Sequence, residues 1–166
     1  VIVDDALPHD QVYALTNANN FNKLSIEVID GTLHIGVSSS LFDFKRCLVY
    51  VPSLAYKSVA AEGGSDFLWN SCNSDRLYVM ASGGSDCQIK GVTQQLCIDV
   101  SGGSDIECGW LDAEDVTIHA SGGSDIDAVA NSTLSLTASG GADVHIKGNP
   151  QIVHWDVSGG ADVEFN

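Results

Sequence analysis

The feature that most constrains the fold is a Gly-Gly-Ser-Asp or Gly-Gly-Ala-Asp motif that occurs six times. Successive copies are separated by 20, 19, 20, 18 and 19 residues. Because one unit recurs at a nearly constant interval, the chain is expected to be a solenoid, in which each repeat contacts only its neighbours. The glycine pairs are expected to form its bends. They are Gly63, Gly64, Gly83, Gly84, Gly102, Gly103, Gly122, Gly123, Gly140, Gly141, Gly159 and Gly160.

The segments on both sides of each bend alternate apolar and polar residues, which is the period of a half-buried strand. The longer segments before the bends are residues 77–82, 96–101, 116–121, 134–139 and 153–158, and the shorter ones after them are residues 87–89, 106–108, 126–128, 144–146 and 163–165. Each repeat is therefore expected to contain a strand, a bend, a short strand and a variable corner. The inward positions of the last long segment are predicted to be Val153, Trp155 and Val157. Four aromatic side chains are assigned to the core, namely Phe67, Trp69, Trp155 and Phe165.

No helical stripe accompanies these strands, which argues against a horseshoe of strands and helices. The sequence predicts an all-β protein, a single-stranded parallel β-helix with about 19 residues per coil. Its coils are expected to be right-handed, as parallel crossovers are. Six coils stacked about 4.8 Å apart would make a rod roughly 30 Å long.

One domain is expected over residues 1–166, because a chain of this length can bury a single continuous core. Residues 1–53 are predicted to form irregular N-terminal coils and a hairpin-rich cap, and residues 54–166 the six repeats. Within the cap, Asp30-Gly31 is a favoured two-residue turn inside a hairpin over residues 24–35. Residues 46–51 are predicted to form a further strand, closed by Pro52.

The order of these motifs resembles a known bacterial family. "KLSIEVIDGTLHI", then "CLVYVPSL", then serial "ASGGSDI" coils are similar to the auto-transporter adhesin head GIN domain family, formerly a domain of unknown function. The resemblance covers roughly residues 23–166. It implies a β-helical domain of the bacterial cell envelope, exported to the periplasm, anchored to the outer membrane or exposed at the cell surface. It supplies no catalytic residues.

Charge limits the partners of such a domain. The chain has 7 Lys and Arg against 22 Asp and Glu, which gives a formal net charge of −15. Such a surface repels nucleic acid and anionic lipid and attracts cations. No apolar run is long enough to span a membrane. The sequence starts at Val1 and contains no signal peptide, so a targeting segment or anchor is expected outside it.

The five cysteines fit neither a complete disulfide framework nor a zinc site, because their number is odd and no CxxC occurs. Cys87 and Cys108 fall in inward columns and are predicted to be core residues. Cys72 aligns with Val92 and Leu111 and is also expected to be buried. Cys97 is predicted to face outward beside Tyr78 and Thr117, which makes it the thiol to test for reactivity.

The aspartates of the repeat form one predicted column. They are Asp66, Asp86, Asp105, Asp125, Asp143 and Asp162. The preferred interpretation is structural: glycine supplies unusual backbone angles, while the Asp and Ser side chains accept hydrogen bonds from the amides of the bend. On this interpretation no cofactor is expected. The alternative is calcium, which prefers carboxylate oxygens, although the repeat is not the nine-residue calcium-binding unit.

Catalysis is not expected. Ser65, Ser85, Ser104 and Ser124 are equivalent, and alanine replaces them in the last two copies, whereas a nucleophile must be one activated hydroxyl. No GxSxG, HExxH or phosphate-binding loop occurs. The candidate binding groups are instead outward residues. One strip contains Asp99, His119, Thr137 and Asp156, with His154 nearby, and a second contains Glu107, Asp127, His145 and Glu164. Tyr78 and Trp110 are the aromatic contact candidates of the coils.

The function predicted from these patterns is a non-enzymatic, adhesin-like protein of the cell envelope, a stiff module that binds a protein or glycan ligand. One alternative is a carbohydrate-binding or carbohydrate-active β-helix, since histidine and carboxylates in adjacent coils could hold a metal or act on a glycosidic bond. Another is a calcium-stabilised surface protein. The last coil is expected to expose Val163, Phe165 and unpaired backbone, so self-association through that edge is also predicted.

Overall fold

The computed structural model describes residues 1–37 and 47–166. The protein is all-β, with 65% strand and 4% helix, and forms a solenoid of about six turns with about 19 residues per turn. The β-helix predicted from the repeat is therefore confirmed. Its right-handed sense follows from the crossover rule and stays a prediction.

The N-terminal part contains short elements. They are β1 (Ile2–Asp4), β2 (Tyr13–Leu15), a 3-10 helix (Ala18–Lys23), β3 (Leu24–Ile29), β4 (Thr32–Val37), β5 (Leu48–Pro52) and β6 (Ser58–Glu62). The repeats follow. They contain β7 (Phe67–Ser82), β8 (Asp86–Val100), β9 (Asp105–Ala120), β10 (Asp125–Val129), β11 (Thr133–Ala138), β12 (Asp143–Lys147), β13 (Gln151–Val157) and β14 (Asp162–Phe165).

The first three repeats differ from the prediction at the corner. β7, β8 and β9 each run for 15 or 16 residues without interruption. The predicted short strand, corner and long strand are therefore one continuous strand in these coils. The corner is made by shifts of pairing register, between Trp69 and Cys72 and between Gln88 and Lys90. Such bulges bend a strand without ending it. Only after β10 does the corner separate two strands, as expected.

Parallel pairing in register builds the core. Leu77 lies opposite Leu96, which lies opposite Val116, which lies opposite Leu134, and all four side chains are buried. Full burial of one aliphatic side chain of this kind stabilises a fold by about 1.5–3 kcal/mol. The core is therefore a stack of apolar columns running along the solenoid, and alternate residues of each strand face solvent.

The bulges change the alignment of one predicted core residue. Cys72 is buried, as expected, but its register partners are Gly91 and, one coil further, Leu111. The predicted alignment with Val92 is wrong by one position, because the bulge after Trp69 shifts the register. Val92 is consequently exposed.

The N-terminal end of the solenoid is closed by a cap. β1 pairs in parallel with both β5 and β7, and β2 pairs antiparallel with β5 at the end of the sheet. The predicted hairpin is confirmed as a separate two-stranded sheet of β3 and β4, with Asp30 and Gly31 at φ 50° and 77°. Both angles suit the tight turn expected there. The predicted strand over residues 46–51 is found as Leu48–Pro52, and its residue 46 lies outside the described residues.

The C-terminal coil departs from the predicted core. Trp155 and Phe165 lie in inward register with Leu136 and Ile146, but they are 46% and 48% exposed. Their rings stack with centroids 6.0 Å apart. The inward register of both residues is confirmed, and the exposure of Phe165 is the one expected for the last coil. Trp155 is not buried as predicted, whereas Trp69 is buried and Phe67 is half-buried.

A bulge also displaces Val153 from its predicted inward column. Leu134 pairs with Ile152 and Ser135 pairs with His154, so Val153 is the additional residue between them. Both Ile152 and Val153 are exposed. The final coil therefore presents apolar side chains and one open strand edge at the C-terminal end of the described stack.

Candidate functional site

The repeated bends have two backbone geometries although their sequences are nearly identical. The first glycine of every copy has φ between 65° and 83°. The second glycine has a positive φ only in the first two copies, at Gly64 and Gly84. From Gly103 onward the second glycine leaves the left-handed region, and the amides of Gly123, Gly141 and Gly160 donate to backbone carbonyl oxygens of the preceding bend.

Serine side chains stabilise the bends of the first type, in which both glycines have a positive φ. Ser104 Oγ accepts hydrogen bonds from the amides of Gly84 and Ser85, both at 3.1 Å. Ser85 Oγ does the same for the preceding bend, at 3.2 and 3.3 Å. In the second type, the amide of Gly123 donates to the carbonyl oxygen of Gly102 at 2.8 Å, so no hydroxyl is needed. This difference explains why alanine occupies the serine position in the last two copies.

The aspartates of the motif do not have the role predicted for them. All six are exposed, whereas Ser85, Ser104 and Ser124 are buried. Among the described residues, amides reach two aspartates of the column: Val163 N donates to Asp162 Oδ1 at 2.9 Å, and a hydrogen bond from the backbone of Asp125 acts to lower the pKa of Asp105. The amides of the first two bends are instead satisfied by the buried Ser85 and Ser104, and the amides of Gly123, Gly141 and Gly160 by backbone carbonyl oxygens.

The aspartates nevertheless form a ladder. Asp86, Asp105, Asp125, Asp143 and Asp162 lie opposite one another in successive coils. Desolvation, followed by the charges of Asp125 and Asp86, raises the pKa of Asp105. The described residues contain no group of three or more His, Cys, Asp or Glu side chains arranged to hold a metal ion. Calcium binding by this ladder stays a prediction.

We expect Asp105→Asn to raise the midpoint of thermal unfolding at pH 7. Because the folded state raises the pKa of this carboxyl, the folded chain binds its proton more tightly than the unfolded chain, and the ionised form destabilises the fold. The difference between variant and parent should shrink as the pH falls through the folded-state pKa. Differential scanning calorimetry between pH 7 and 4 measures both effects.

The same calorimetry in EDTA and in calcium tests the alternative interpretation, that the aspartate ladder binds calcium. We expect equal midpoints for the parent chain in the two buffers. A rise of several degrees at micromolar calcium, absent in Asp105→Asn, would establish the ladder as a calcium site.

The first predicted outward strip is confirmed in register. Asp99 lies opposite His119, which is followed by Thr137 and Asp156 in the next two coils. His154 lies opposite Ser135, two positions away from Asp156. Tyr78 is half-buried, and its hydroxyl donates to Asp99 Oδ2 at 3.2 Å. Desolvation and this hydrogen bond raise the pKa of Tyr78. The strip is a row of polar groups on the outer face of the long strands.

The second strip brings unlike groups together. Glu107, Asp127, His145 and Glu164 are successive register partners. His145 Nδ1 is 3.8 Å from Asp127 Oδ1, and its Nε2 is 3.5 Å from Glu164 Oε2. Beside them lies a small depression of about 110 Å³, which Asp143 and Asp162 also line. The predicted histidine between two carboxylates is therefore present, and it is open to solvent.

Sequence reasoning missed a wider depression of about 470 Å³ on the long-strand face. Arg76 and Cys97 line it, and Arg76 Nε donates to Gln95 Oε1 at 2.8 Å. Cys97 lies between Tyr78 and Thr117, as predicted, but it is only half-exposed. Burial and the charge of Asp99 raise the pKa of Cys97, which lowers its thiolate fraction and reactivity.

The other cysteines of the coils behave as predicted core residues. Cys87 and Cys108 are buried, and desolvation raises the pKa of the Cys87 thiol to about 11. Desolvation also raises the pKa of Cys108. All five cysteines are free thiols. Inward thiols with raised pKa values act here as small apolar side chains.

Trp110 is the most prominent aromatic residue of the surface. It lies in β9 and is 76% exposed. Lys147 Nζ lies 5.5 Å from the centroid of its ring, within the range of a cation–π interaction. The sequence predicted Trp110 as a contact residue, whereas the position of Lys147 beside its ring is seen only in the structure.

Fold and surface place the chain in the class of parallel β-helical proteins with open polar faces. The chain belongs to the family described as "Putative auto-transporter adhesin, head GIN domain", whose family model matches residues 5–150. The match begins before residue 23, where the resemblance was expected to begin, and the last coil lies beyond it. The family resemblance drawn from the motifs is confirmed. No curated protein matches the sequence significantly.

Solved bacterial structures share the fold. A "putative adhesin" from Bacteroides fragilis NCTC 9343 has a TM-score of 0.70 at 20% identity, covering 93% of this chain and 82% of its own. A "putative adhesin" from Parabacteroides merdae ATCC 43184 has 0.55 at 15%, with the same coverage of 93% and 82%. A "Putative lipid binding protein" from Parabacteroides distasonis ATCC 8503 has 0.53 at 17%, covering 99% and 87%. At these identities the likeness concerns the fold alone.

No helix among the described residues is both long and apolar enough to cross a membrane.

Proposed function

We propose that this chain is a non-enzymatic, adhesin-like module of the bacterial cell envelope that binds a protein or glycan ligand through its outward columns. The observation that carries the proposal is the register of those columns. Polar residues such as Asp99, His119 and Asp156 stand in exposed rows across successive coils, while the interior is filled with apolar side chains. A rigid, repetitive face of this kind suits recognition of an extended ligand.

Membership of an adhesin family supports the same conclusion and supports an exported location, in the periplasm, at the outer membrane or on the cell surface. The core also supports a mechanical role. Each coil contacts its neighbours along whole strands, as β7 and β9 do on the two sides of β8. A stack of this kind resists bending, because a bend would break many parallel hydrogen bonds at once.

The last coil offers a second contact surface. Trp155, Phe165 and Ile152 are exposed there beside the open edge of β14. The antiparallel β2 closes the opposite end of the sheet. Self-association of chains 1–166 would therefore join C-terminal ends, and it stays a prediction.

Attachment of bacteria that carry the full-length protein tests the proposed function. Deleting the gene should reduce attachment of the cells to the surface they colonise. Purified chain 1–166 should inhibit attachment of the parent cells with a saturable, stoichiometric dose dependence, because it occupies the ligand. Heat-unfolded chain is the control. If the deletion strain attaches as well as its parent and the purified chain does not compete, the proposal is wrong.

A further inference from the structure

Trp110 is exposed where burial would have stabilised the fold. A large indole buries much apolar area when it enters a core, and this one is 76% in solvent. The residue before it, Gly109, has no side chain and lies directly after the buried Cys108. Trp110 therefore contributes little to the packing of its own coil, which leaves its ring available for a ligand. Exposed tryptophans are also enriched among the residues that dominate binding energy at interfaces.

Two lysines from different coils lie near Trp110, one as its register partner and one in direct contact with the ring. Lys90, one coil earlier, lies opposite Trp110 in register. Lys147 belongs to β12, two coils later, and its Nζ reaches back to 5.5 Å from the ring centroid and 3.4 Å from the carbonyl oxygen of Gly109. A Cβ at position 109 would lie 2.8 Å from that Nζ, so the glycine makes the room that the lysine uses.

This placement of positive charge stands out on an acidic protein. From residue 74 onward the only lysines and arginines are Arg76, Lys90 and Lys147, and two of these three lie near Trp110. Within the part of the chain that the structure describes, ion pairs closer than 4.0 Å involve His145 alone. Neither ammonium group is therefore paired with a carboxylate of the described residues, and Lys147 can bind an anion beside its hydrogen bond to Gly109.

The neighbouring carboxylates are occupied elsewhere. Glu107 accepts a hydrogen bond from Gln88 Nε2, and Asp127 lies 3.8 Å from His145. These acids and the net charge of −15 disfavour a ligand with many charges, such as a nucleic acid. At physiological salt the repulsion from charges more than about 8 Å away is screened, so a single anionic group near the lysines is disfavoured far less than a polyanion.

We propose that Trp110, Lys90 and Lys147 form a binding site for a sugar ring that carries a carboxylate, such as a uronic or sialic acid unit of a glycan. The apolar C–H face of the ring stacks on the indole, and the carboxylate accepts charge-assisted hydrogen bonds from the ammonium groups. This inference rests on the proposed function and names the ligand class for one of its surfaces.

Matched sugars test the inference on the intact chain 1–166. The probes are short oligosaccharides ending in glucuronate, galacturonate or N-acetylneuraminate, each beside its methyl ester, which has the same ring without the charge. Binding is followed by NMR through the indole N–H signal of Trp110, assigned with Trp110→Ala. We expect at least one free acid to shift this signal. Its ester should bind at least about tenfold more weakly, because a hydrogen bond to a charged group is lost.

Three variants distinguish binding at this site from a nonspecific effect of positive charge. Binding to Trp110→Ala, which has no indole signal at this position, is followed through the backbone amide signals of Lys90 and Lys147 and should be abolished. Lys147→Gln and Lys90→Gln should each weaken binding by about tenfold. Arg76→Gln is the matched control, since it removes one positive charge from the wide depression on the long-strand face and should leave the affinity unchanged. The inference is overturned if no acid of the panel shifts the Trp110 signal, if the esters bind as well as the acids, or if Arg76→Gln weakens binding as much as Lys147→Gln.

The attachment assay distinguishes this inference from the proposed function. If Trp110→Ala competes with bacterial attachment as well as the parent chain does, the chain is an adhesive module and Trp110 is not its glycan site. If neither protein competes, the proposed function itself is wrong. Loss of competition in Trp110→Ala and Lys147→Gln, with retention in Arg76→Gln, supports both.

Discussion

Gly122→Ala should lower the free energy of unfolding by about 3 kcal/mol, because left-handed backbone and overpacking each cost an L side chain about 1–2 kcal/mol or more. Gly122 has φ +83°. A Cβ there would lie 2.6 Å from the carbonyl oxygen of Gly102 and 2.9 Å from its nitrogen. Those atoms are backbone of the preceding coil and cannot rotate away, so the coils themselves must separate. Urea denaturation followed by far-UV circular dichroism measures the loss.

Gly123→Ala is the matched control in the same bend. Gly123 has no positive φ, and a Cβ there would approach the carbonyl oxygen of Gly102 only to 4.0 Å, which is ordinary contact. We expect this variant to stay within about 1 kcal/mol of the parent. Equal losses in the two variants would contradict the distinction between the first and second glycines. If both losses were below about 1 kcal/mol, the bends would tolerate a side chain at either glycine.

The architecture could be predicted because every coil of a solenoid shows the same sequence pattern. Alternation within one segment is weak, but the same alternation in five segments at the same distance from the same bend leaves few other folds. The inward column through Leu77, Leu96, Val116 and Leu134 is readable in this way and is confirmed. Bulges could not be predicted, because one extra residue in a strand leaves the apolar–polar alternation on both sides of it intact. Cys72 and Val153 were misplaced for that reason.

The role of the aspartates was predicted wrongly although the signal was present. Ile126 is inward, so alternation places Asp125 outward and Ser124 inward. Extending the strand pattern back into the bend by two residues would have assigned the buried hydrogen bonds to serine. The two bend geometries could not have been predicted, because Gly83 and Gly122 begin the same four-residue sequence.

The candidate glycan site illustrates a different limit. Trp110 was identified from the sequence by its position at an irregular corner. Lys147 lies 37 residues later, and its ammonium group crosses the intervening coil to reach the indole. Register predicts which residues are adjacent between coils, but it does not predict how far a long side chain extends across them. The open space at Gly109, on which this contact depends, is visible only in three dimensions.

Ser104→Ala should lower the free energy of unfolding by about 2 kcal/mol, because buried amides that lose their acceptor keep the full cost of their desolvation. Ser104 Oγ accepts from the amides of both Gly84 and Ser85 at 3.1 Å, and the serine is fully buried. Alanine fills nearly the same space, so the change removes the acceptor with little change in packing. Urea denaturation measures the loss, and amide hydrogen exchange at Gly84 and Ser85 should accelerate.

Ser124→Ala is the control that decides the interpretation. Ser124 is equally buried and stands one coil later in the same column, but its hydroxyl donates to the carbonyl oxygen of Ser121 at 3.3 Å. That carbonyl keeps a second lone pair, so we expect a loss below about 1 kcal/mol. Similar losses at the two serines would mean that the two bend geometries are energetically equivalent. A large loss at Ser104 alone would explain why the later coils can use Ala142 and Ala161, since their second glycine already has a carbonyl partner in the coil before it.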